Sequence, residues 1–435
     1  MIINNKDMKK LFNSLFLLTA LTLTTAVFTG CKDEPDKYEV SDVNPTISYI
    51  RPLGAESADS LLTGAYMDNG ICIVGNNLRS IVKMYFNDQE AQLIPSLITD
   101  NTLIVTVPGT IPGVVYNKIF MHNKDGVITE YDFKVLVPAP SINNMSNEWA
   151  KPGEQATIYG NYFVDDPNTP LTLTIGGTNI PIDEFDISHI TFTVPAGLQE
   201  GAIEISSVYG KKKAKFNYHD SRGMLFNDWG TGDAGAASTT LGNHGWHAQQ
   251  IVSDEYSLDG SYLLLGDCDI EDATWNDGNL SFEYWPGDWD GTFTGPNARL
   301  SDLVSFANFA NMALKFEVNI PASNPWTNLS MQCIFSGDAQ VTLPTANNKF
   351  FNGTDYPRGL WTPWSATGSY DTNGEWVTVT LPLNTFKYKN DGTAAGGPLT
   401  VDNFTGLTLF LWSGVTSGTT CHPIIRIDNV RAVEY

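Results

Sequence analysis

The sequence predicts an all-β protein: two small immunoglobulin-like sandwiches in tandem, then a larger β-sandwich of the jelly-roll type. Three observations predict it. Gly and Pro are plentiful, aromatic residues make up 11% of the 435 residues and charged residues only 17%. That profile suits strands joined by many turns and argues against coiled coils or disorder. A set of short motifs recurs twice between Pro45 and Gly201. From about Asp220 onward, short apolar runs and period-two alternation continue with no sustained helical period.

Pro45-Thr46-Ile47-Ser48 opens the first copy of the repeat and Pro140-Ser141-Ile142-Asn143 the second. Gly75-Asn76-Asn77-Leu78 corresponds to Gly160-Asn161-Tyr162-Phe163. Asp100-Asn101-Thr102-Leu103-Ile104-Val105-Thr106-Val107-Pro108 corresponds to Ser188-His189-Ile190-Thr191-Phe192-Thr193-Val194-Pro195, and a glycine follows each, Gly113 and Gly201. The alternation of Leu103, Val105 and Val107 indicates a half-buried strand, and the Gly-Asn steps indicate turns. The copies occupy 45–138 and 139–219, about the size of small immunoglobulin-like sandwiches. Their order resembles the IPT/TIG family, whose members show a proline-led first strand, a G-x-x-F/L element and a strand ending in Val-Pro. The resemblance implies the fold and brings no catalytic or ligand residue with it, so both units read as spacers that present the last domain. The basic run Gly210-Lys211-Lys212-Lys213-Ala214-Lys215 reads as a solvated hairpin.

Residues 1–30 read as a targeting segment outside the fold. Lys9-Lys10 precede the apolar run Leu11 to Phe28, which ends at Thr29-Gly30-Cys31 and is too short and too closely followed by Cys for a membrane span. The ending resembles a bacterial lipobox, with Phe28 where Leu is usual, and implies lipidation of Cys31. Lys32-Asp33-Glu34-Pro35-Asp36 resembles the acidic tag that sends Bacteroidetes lipoproteins to the outer face of the outer membrane. Residues 31–44 are then an acidic tether.

In the last region, 220–435, strands are expected at Tyr262–Leu265, Ala313–Ile320, Leu329–Phe335, Trp376–Leu381, Leu407–Trp412 and Ile424–Val433. Turn chemistry separates them, at Asn324-Pro325, Asn373-Gly374 and Asn390-Asp391-Gly392. Ten of the eleven Trp lie from Trp229 onward, so a ligand is to be sought there. The stretch Asp355-Tyr356-Pro357-Arg358-Gly359-Leu360-Trp361-Thr362-Pro363-Trp364 holds three large aromatics and an arginine, interrupted by two prolines and a glycine. Proline lacks the ladder donor and fixes φ, so a long helix or an inner strand is excluded and a surface loop is expected. Aromatic rings on such a loop offer flat apolar faces to the axial C–H groups of a pyranose. The expected platform is Trp285, Trp289, Trp326, Tyr356, Trp361 and Trp364, with Arg358 and Asp355 beside the rings as donor and acceptor. Trp376 and Trp412 lie in regular strand patterns and are expected in the core, as are Trp229, Trp246 and Trp275.

The elements Tyr284-Trp285-Pro286-Gly287-Asp288-Trp289, Tyr356-Pro357-Arg358-Gly359-Leu360-Trp361, Gly374-Glu375-Trp376-Val377-Thr378-Val379 and Ile427-Asp428-Asn429-Val430-Arg431 resemble the C-terminal domain of the Bacteroidetes surface glycan-binding protein B family. The resemblance covers the whole mature chain in order. It implies a lipid-anchored protein whose last domain binds a polysaccharide on an aromatic platform, beside an outer-membrane glycan importer and a companion binding lipoprotein.

Charge narrows the ligand. A net of −23 makes nucleic acid and anionic membrane surfaces poor partners. Residues 220–435 hold nine Lys and Arg against twenty-four Asp and Glu, a net of −15, so a neutral polysaccharide is expected over a polyanionic one. Enzyme signatures are weak. Gly230-Thr231-Gly232-Asp233-Ala234-Gly235 matches G-x-G-x-x-G without a βαβ context, and His244 and His247 have no companion ligands. Glu283, Asp288 and Asp290 lie near expected platform aromatics and are the residues a glycoside hydrolase would use, although Asp288-Trp289-Asp290-Gly291 reads as a turn. A protein-binding adhesin or scaffold is the other alternative. No cofactor is expected. Structural calcium would draw on Asp267, Asp269 or Asp428, with no EF-hand spacing to support it. Cys72 and Cys333 sit in apolar runs as small core residues, and a disulfide among Cys268, Cys333 and Cys421 stays open.

Overall fold

The computed structural model describes residues 43–57, 59–227, 229, 250–270, 280–288, 290–294, 297–341, 350, 356–412 and 419–435. The leader, Cys31, most of the tether, Trp246, Trp275, Trp289, Asp355, the Gly230–Gly235 stretch, His244 and His247 lie outside the described residues. The chain divides into two compact units, Met1–Pro138 and Ala139–Tyr435.

The first unit is an immunoglobulin-like sandwich. Its strands are β1 (Thr46–Pro52), β2 (Gly64–Tyr66), β3 (Gly70–Asn76), β4 (Lys83–Phe86), β5 (Gln89–Ala91), β6 (Thr102–Thr106), β7 (Lys118–His122), β8 (Ile128–Asp132) and β9 (Lys134–Leu136). Sheet β1-β3-β6 faces sheet β5-β4-β7-β8, and β2 pairs with β9 in parallel. Ile50, Ile73, Leu103 and Val105 meet Met84, Phe86, Ile119 and Met121 in one core, as the period-two alternation requires.

The second unit opens with another such sandwich: β10 (Ser141–Met145), β11 (Gln155–Asn161), β12 (Thr172–Ile175), β13 (Thr178–Ile180), β14 (Glu184–Phe185), β15 (His189–Thr193), β16 (Gly201–Ser207) and β17 (Gly210–Tyr218). Its sheets run β10-β11-β15-β14 and β13-β12-β16-β17. The repeated motif has a shared physical cause. A Cβ at Gly75 would lie 1.9 Å from the Thr46 carbonyl oxygen, and one at Gly160 would lie 1.9 Å from that of Ser141. Both glycines therefore let a bulged first strand close onto its neighbour. Two residues on, Asn77 (φ 59°) and Tyr162 (φ 61°) turn left-handed and drive Leu78 and Phe163 into the cores. Lys211 lies in the β16–β17 hairpin, where it pairs with Glu204 at 3.7 Å.

The last sandwich follows without a break. It comprises β18 (Met224–Phe226), β19 (Ile251–Val252), β20 (Tyr262–Gly266), β21 (Ser281–Tyr284), β22 (Met312–Asn319), β23 (Met331–Ser336), β24 (Gly359–Trp361), β25 (Trp376–Pro382), β26 (Gly406–Leu411) and β27 (Ile424–Glu434). A six-stranded sheet runs β19-β20-β27-β22-β25 with β18 against β27, and a four-stranded sheet runs β21-β26-β23-β24. Phe316, Val318, Leu265 and Ile427 of one meet Phe282, Cys333, Leu409 and Leu411 of the other. The single α-helical turn among the described residues is Leu300–Leu303. Trp229 is buried, stacked on Phe226 at 5.4 Å. Cys72 and Cys333 are buried, Cys268 and Cys421 partly buried, and all four are thiols.

All eight residues of β22 are buried, although half of them point away from the sandwich core. Those outward residues include Lys315 and Glu317, and the second Ig-like sandwich covers them. Glu148, in the β10–β11 connection, takes the Lys315 ammonium on one carboxylate oxygen and an Arg431 Nη at 2.7 Å on the other. Arg431 also donates to both oxygens of Glu317, at 2.8 and 3.0 Å. Thr378 on β25 donates to Glu317 and accepts from the Glu148 backbone N–H. Buried charge survives only when paired in this way. The joint fixes the second Ig-like sandwich on the last domain.

Where the chain enters β27, His422 sits between Asp269 (3.0 Å) and Asp267 (3.3 Å). Asp269 first and Asp267 second hold the imidazole above its ordinary 6.5. A value raised by folding makes the clamp fully effective below the unfolded value and weakens it as pH rises through the folded one. An NMR titration of the His422 ring should therefore give a midpoint above 6.5. Asp269→Asn should bring it back toward 6.5, and molar salt should shrink the shift.

Candidate functional site

The four-stranded sheet is built two-faced. Phe282, Tyr284, Met331, Cys333, Phe335, Leu407, Leu409 and Leu411 point into the core. Glu283, Gln332, Ile334, Thr408 and Phe410 alternate with them and occupy the other face, yet they too are buried. In register, Glu283 lies opposite Thr408 and Thr408 opposite Ile334, while Phe410 lies opposite Gln332. Trp412 continues the second face, its ring parallel to Phe410 with centroids 6.2 Å apart. Trp285, Ile334, Val341 and Phe350 form a small apolar cluster there, with Tyr356 packed against it.

Arg358 ties this layer together. Its backbone exchanges hydrogen bonds with Tyr388, at 3.0 and 3.2 Å. Its fully buried guanidinium donates to Gln332 Oε1, to the Phe350 carbonyl at 3.3 Å and to the Tyr356 carbonyl at 3.3 Å. Gln332 in turn donates to the Trp412 carbonyl at 2.7 Å. Burial pulls the guanidinium down to about 10, with Asp391 opposing.

Tyr356 is half-buried at the mouth of this layer. Its ring meets Phe350 edge-on at 5.0 Å, and its phenol donates to Asp338 at 2.9 Å. Burial first and Asp338 second push the phenol up to about 12, so it remains a protonated donor at neutral pH. Tyr356 and Pro357 form one wall of an open cavity of about 390 Å³, and Gly397, Pro398, Thr400 and Asn403 form the other. Buried Leu399 anchors that second wall, and Asn403 Oδ1 accepts from the Thr400 backbone at 2.7 Å. An apolar wall with a few fixed hydroxyl and amide groups is what a sugar ring requires.

The other described platform candidates do not present an open ring beside Tyr356. The Asp355–Trp364 stretch was expected as a loop; Gly359–Trp361 instead adds an edge strand to the sheet, where proline is tolerated outside the ladder. Trp285, Trp326 and Arg358 are fully buried and Trp364 is 7% exposed, so none presents an outward face. Trp326 donates its indole N–H to the Asn328 carbonyl and Trp364 donates to that of Leu329. Trp361 keeps a partly exposed edge, wedged among Phe316, Trp326 and Tyr370. Conversely Trp376, expected in the core, is only partly buried and donates its indole N–H to the carbonyl of exposed Tyr256 at 2.9 Å. Trp412 is buried, but on the face opposite the sandwich core. The second wall at Gly397–Asn403 was not anticipated. Its signal was the Gly396-Gly397-Pro398 punctuation beside a capping Thr400.

The acidic groups are taken up locally. Asp290 accepts the Thr292 backbone and hydroxyl at 2.9 and 2.7 Å, and Asp288 accepts the Thr294 hydroxyl, as turn residues do. Asp267 and Asp269 close on His422, and Asp428 is buried with its carboxyl pushed well up by burial and by Asp259. Among the described residues no group of three His, Cys, Asp or Glu side chains is placed to hold a metal.

Residues 218–434 match the family model of the surface glycan-binding protein B xyloglucan binding domain, and residues 140–220 match that of the IPT/TIG domain. The crystal structure of a surface glycan-binding protein B from Prevotella bryantii is 39% identical, with a TM-score of 0.81 over 91% of this chain and 100% of that one. An IPT/TIG domain-containing protein of Bacteroides ovatus is 31% identical over 219 residues, which span 46% of this chain and 43% of that protein. Likeness along the full length of a solved member, together with that family's binding-domain model over the last sandwich, shows that this chain belongs to the surface glycan-binding protein B family.

Proposed function

We propose that the chain captures a neutral, xyloglucan-type β-glucan at the cell surface and does not cleave it. The Tyr356 cavity carries this reading: it is an open aromatic and hydroxyl-lined cleft within the region that matches a xyloglucan-binding domain. Tyr356 stacks on a pyranose ring, and Thr400 and Asn403 meet its hydroxyls. The segment ending at Cys31 supports a lipid anchor on the outer face of the outer membrane. An outer-membrane glycan importer and a companion binding lipoprotein are the partners this placement implies. Asp288 and Asp290 are engaged in a turn and Glu283 is 3% exposed, so these three carboxylates do not support hydrolysis.

Affinity electrophoresis of residues 32–435 through gels loaded with xyloglucan, mixed-linkage glucan or a polyanionic control tests this. Xyloglucan should retard the protein with the polymer left at full length, and Tyr356→Ala should weaken retention roughly fivefold or more. Shortened polymer would overturn the non-catalytic reading, and full retention by the variant would remove the site from Tyr356.

A further inference from the structure

We propose that the first Ig-like unit is more than a spacer: the outer face of its β5-β4-β7-β8 sheet is a second, weaker subsite for the same neutral pyranose chain. The inference rests on the glycan reading above. Tyr85 on β4 lies in register with Phe120 on β7, and Phe120 with Glu130 on β8. These side chains alternate with Met84, Phe86, Ile119 and Met121, which fill the core, so they contribute nothing to it. Tyr116 stands edge-on to Phe120 at 5.5 Å and 90°, and His122 stands edge-on to Tyr85 at 5.3 Å. Together they line an open cavity of about 590 Å³, larger than the one at Tyr356.

This face is built rather than incidental. Asn87, 3% exposed and left-handed at φ 55°, accepts the backbone N–H groups of Tyr116 and Asn117 at 2.8 and 2.7 Å. It thereby holds Tyr116, 53% exposed, over the floor. Lys118 is fixed between Glu130 at 2.9 Å and Asp132 at 3.2 Å, placing a donor and acceptors beside the rings.

The occupant follows from that composition. Protein interfaces deplete charge at their centre, whereas here an ion pair borders the central ring. A polyanion would meet Glu130 and Asp132. Ring faces interleaved with fixed polar groups match a neutral sugar, whose C–H face and hydroxyl rim alternate. A polymer retained by the last domain supplies further sugar units to the same chain at high effective concentration, so a weak subsite still lengthens retention.

Hydrogen exchange on residues 32–435, with and without xyloglucan polymer, tests both sites in one experiment. Slowed exchange is expected around 356–361 and 397–403 and also across 83–87 and 116–132. Tyr85→Ala with Tyr116→Ala should abolish the second protection, leave the first, and weaken retention in xyloglucan gels by roughly 3- to 10-fold. Tyr116→Ala alone, at an exposed loop position, should give part of the effect with an unchanged melting temperature. Protection around Tyr356 alone, with the double variant retained like the parent, would overturn the subsite and leave the proposed function standing. Absence of protection at both places would overturn both, and protection that survives the double variant would show that these aromatics are not the site.

Discussion

Replacing Arg431 with leucine is expected to destabilise the second unit by about 3–5 kcal/mol, because it removes one partner of a buried ionic network and leaves the others uncompensated. Arg431 donates to the carboxylates of both Glu148 and Glu317, and all three are buried. Without it two carboxylates remain inside with Lys315 alone, and Lys315 is already engaged by Glu148. Burial pushes the Glu317 carboxyl up to about 7, and Arg431 is what opposes that rise. A carboxyl whose folded value exceeds its unfolded 4.5 gains a proton on folding. Its contribution is thus complete below the unfolded value and is lost as pH rises through the folded one. The variant, with Glu317 raised further, should lie closest to the parent near pH 5 and fall away by pH 8. Calorimetry at the two pH values should show a drop in melting temperature on the order of 10 °C at pH 8 and less at pH 5. The second Ig-like sandwich should also become separable by limited proteolysis near residue 219. Arg431→Lys keeps the charge without the two-pronged donor geometry and should recover only part of the loss. A cost under 1 kcal/mol at pH 8 would mean that water reaches the joint and that the network does not hold the two sandwiches together.

Nothing in the sequence announces this joint, since Glu148 and Arg431 are 283 residues apart and each looks like an ordinary surface charge. What was legible was local. The Gly-x-x-Leu and Gly-x-x-Phe elements revealed two Ig-like sandwiches because a missing Cβ, a left-handed residue and a buried side chain must fall within four positions. The strand pattern of the last domain was legible from its short apolar runs and period-two alternation. The candidate site was legible as a stretch around Tyr356 and mostly not as the residues that line it. A tryptophan carries equal apolar bulk whether it faces inward or outward, so composition cannot orient it. Trp361 and Trp364 were both expected to face outward on the platform. The 3-10 turn at Pro363–Ala366 instead rotates Trp364 inward, where its indole N–H finds the Leu329 carbonyl. The run Leu407 to Trp412 was more informative than its reading as core allowed. Leucines alternate there with Thr408, Phe410 and Trp412, which signals a strand covered on both faces. That second covered face is the floor from which Tyr356 rises.

Under the proposed function, Arg358, expected to touch sugar, would act on binding without contact. Its guanidinium is fully buried, so no polymer reaches it, yet it holds the Tyr356 carbonyl, the Phe350 carbonyl and Gln332 Oε1. Arg358→Ala is expected to leave these three acceptors without their donor, at a cost of roughly 2–4 kcal/mol and a melting-temperature fall of roughly 5–12 °C. Affinity for xyloglucan should fall with it, because the backbone of Tyr356 loses its fixed position and the ring no longer forms a rigid wall opposite Thr400 and Asn403. Arg358→Lys should rescue neither quantity, since one ammonium cannot reach acceptors arranged for a planar fork. Tyr356→Phe, which loses the bond to Asp338, should weaken binding slightly and stability by no more than about 1 kcal/mol. The pattern separates the two roles of Arg358. A residue that contacts glycan directly would lose affinity with little change in melting temperature, whereas a positioning residue must lose both together. Arg358→Ala that melts like the parent while failing to bind would return the guanidinium to the ligand surface and place the cleft deeper in the domain, against Gln332 and Trp412.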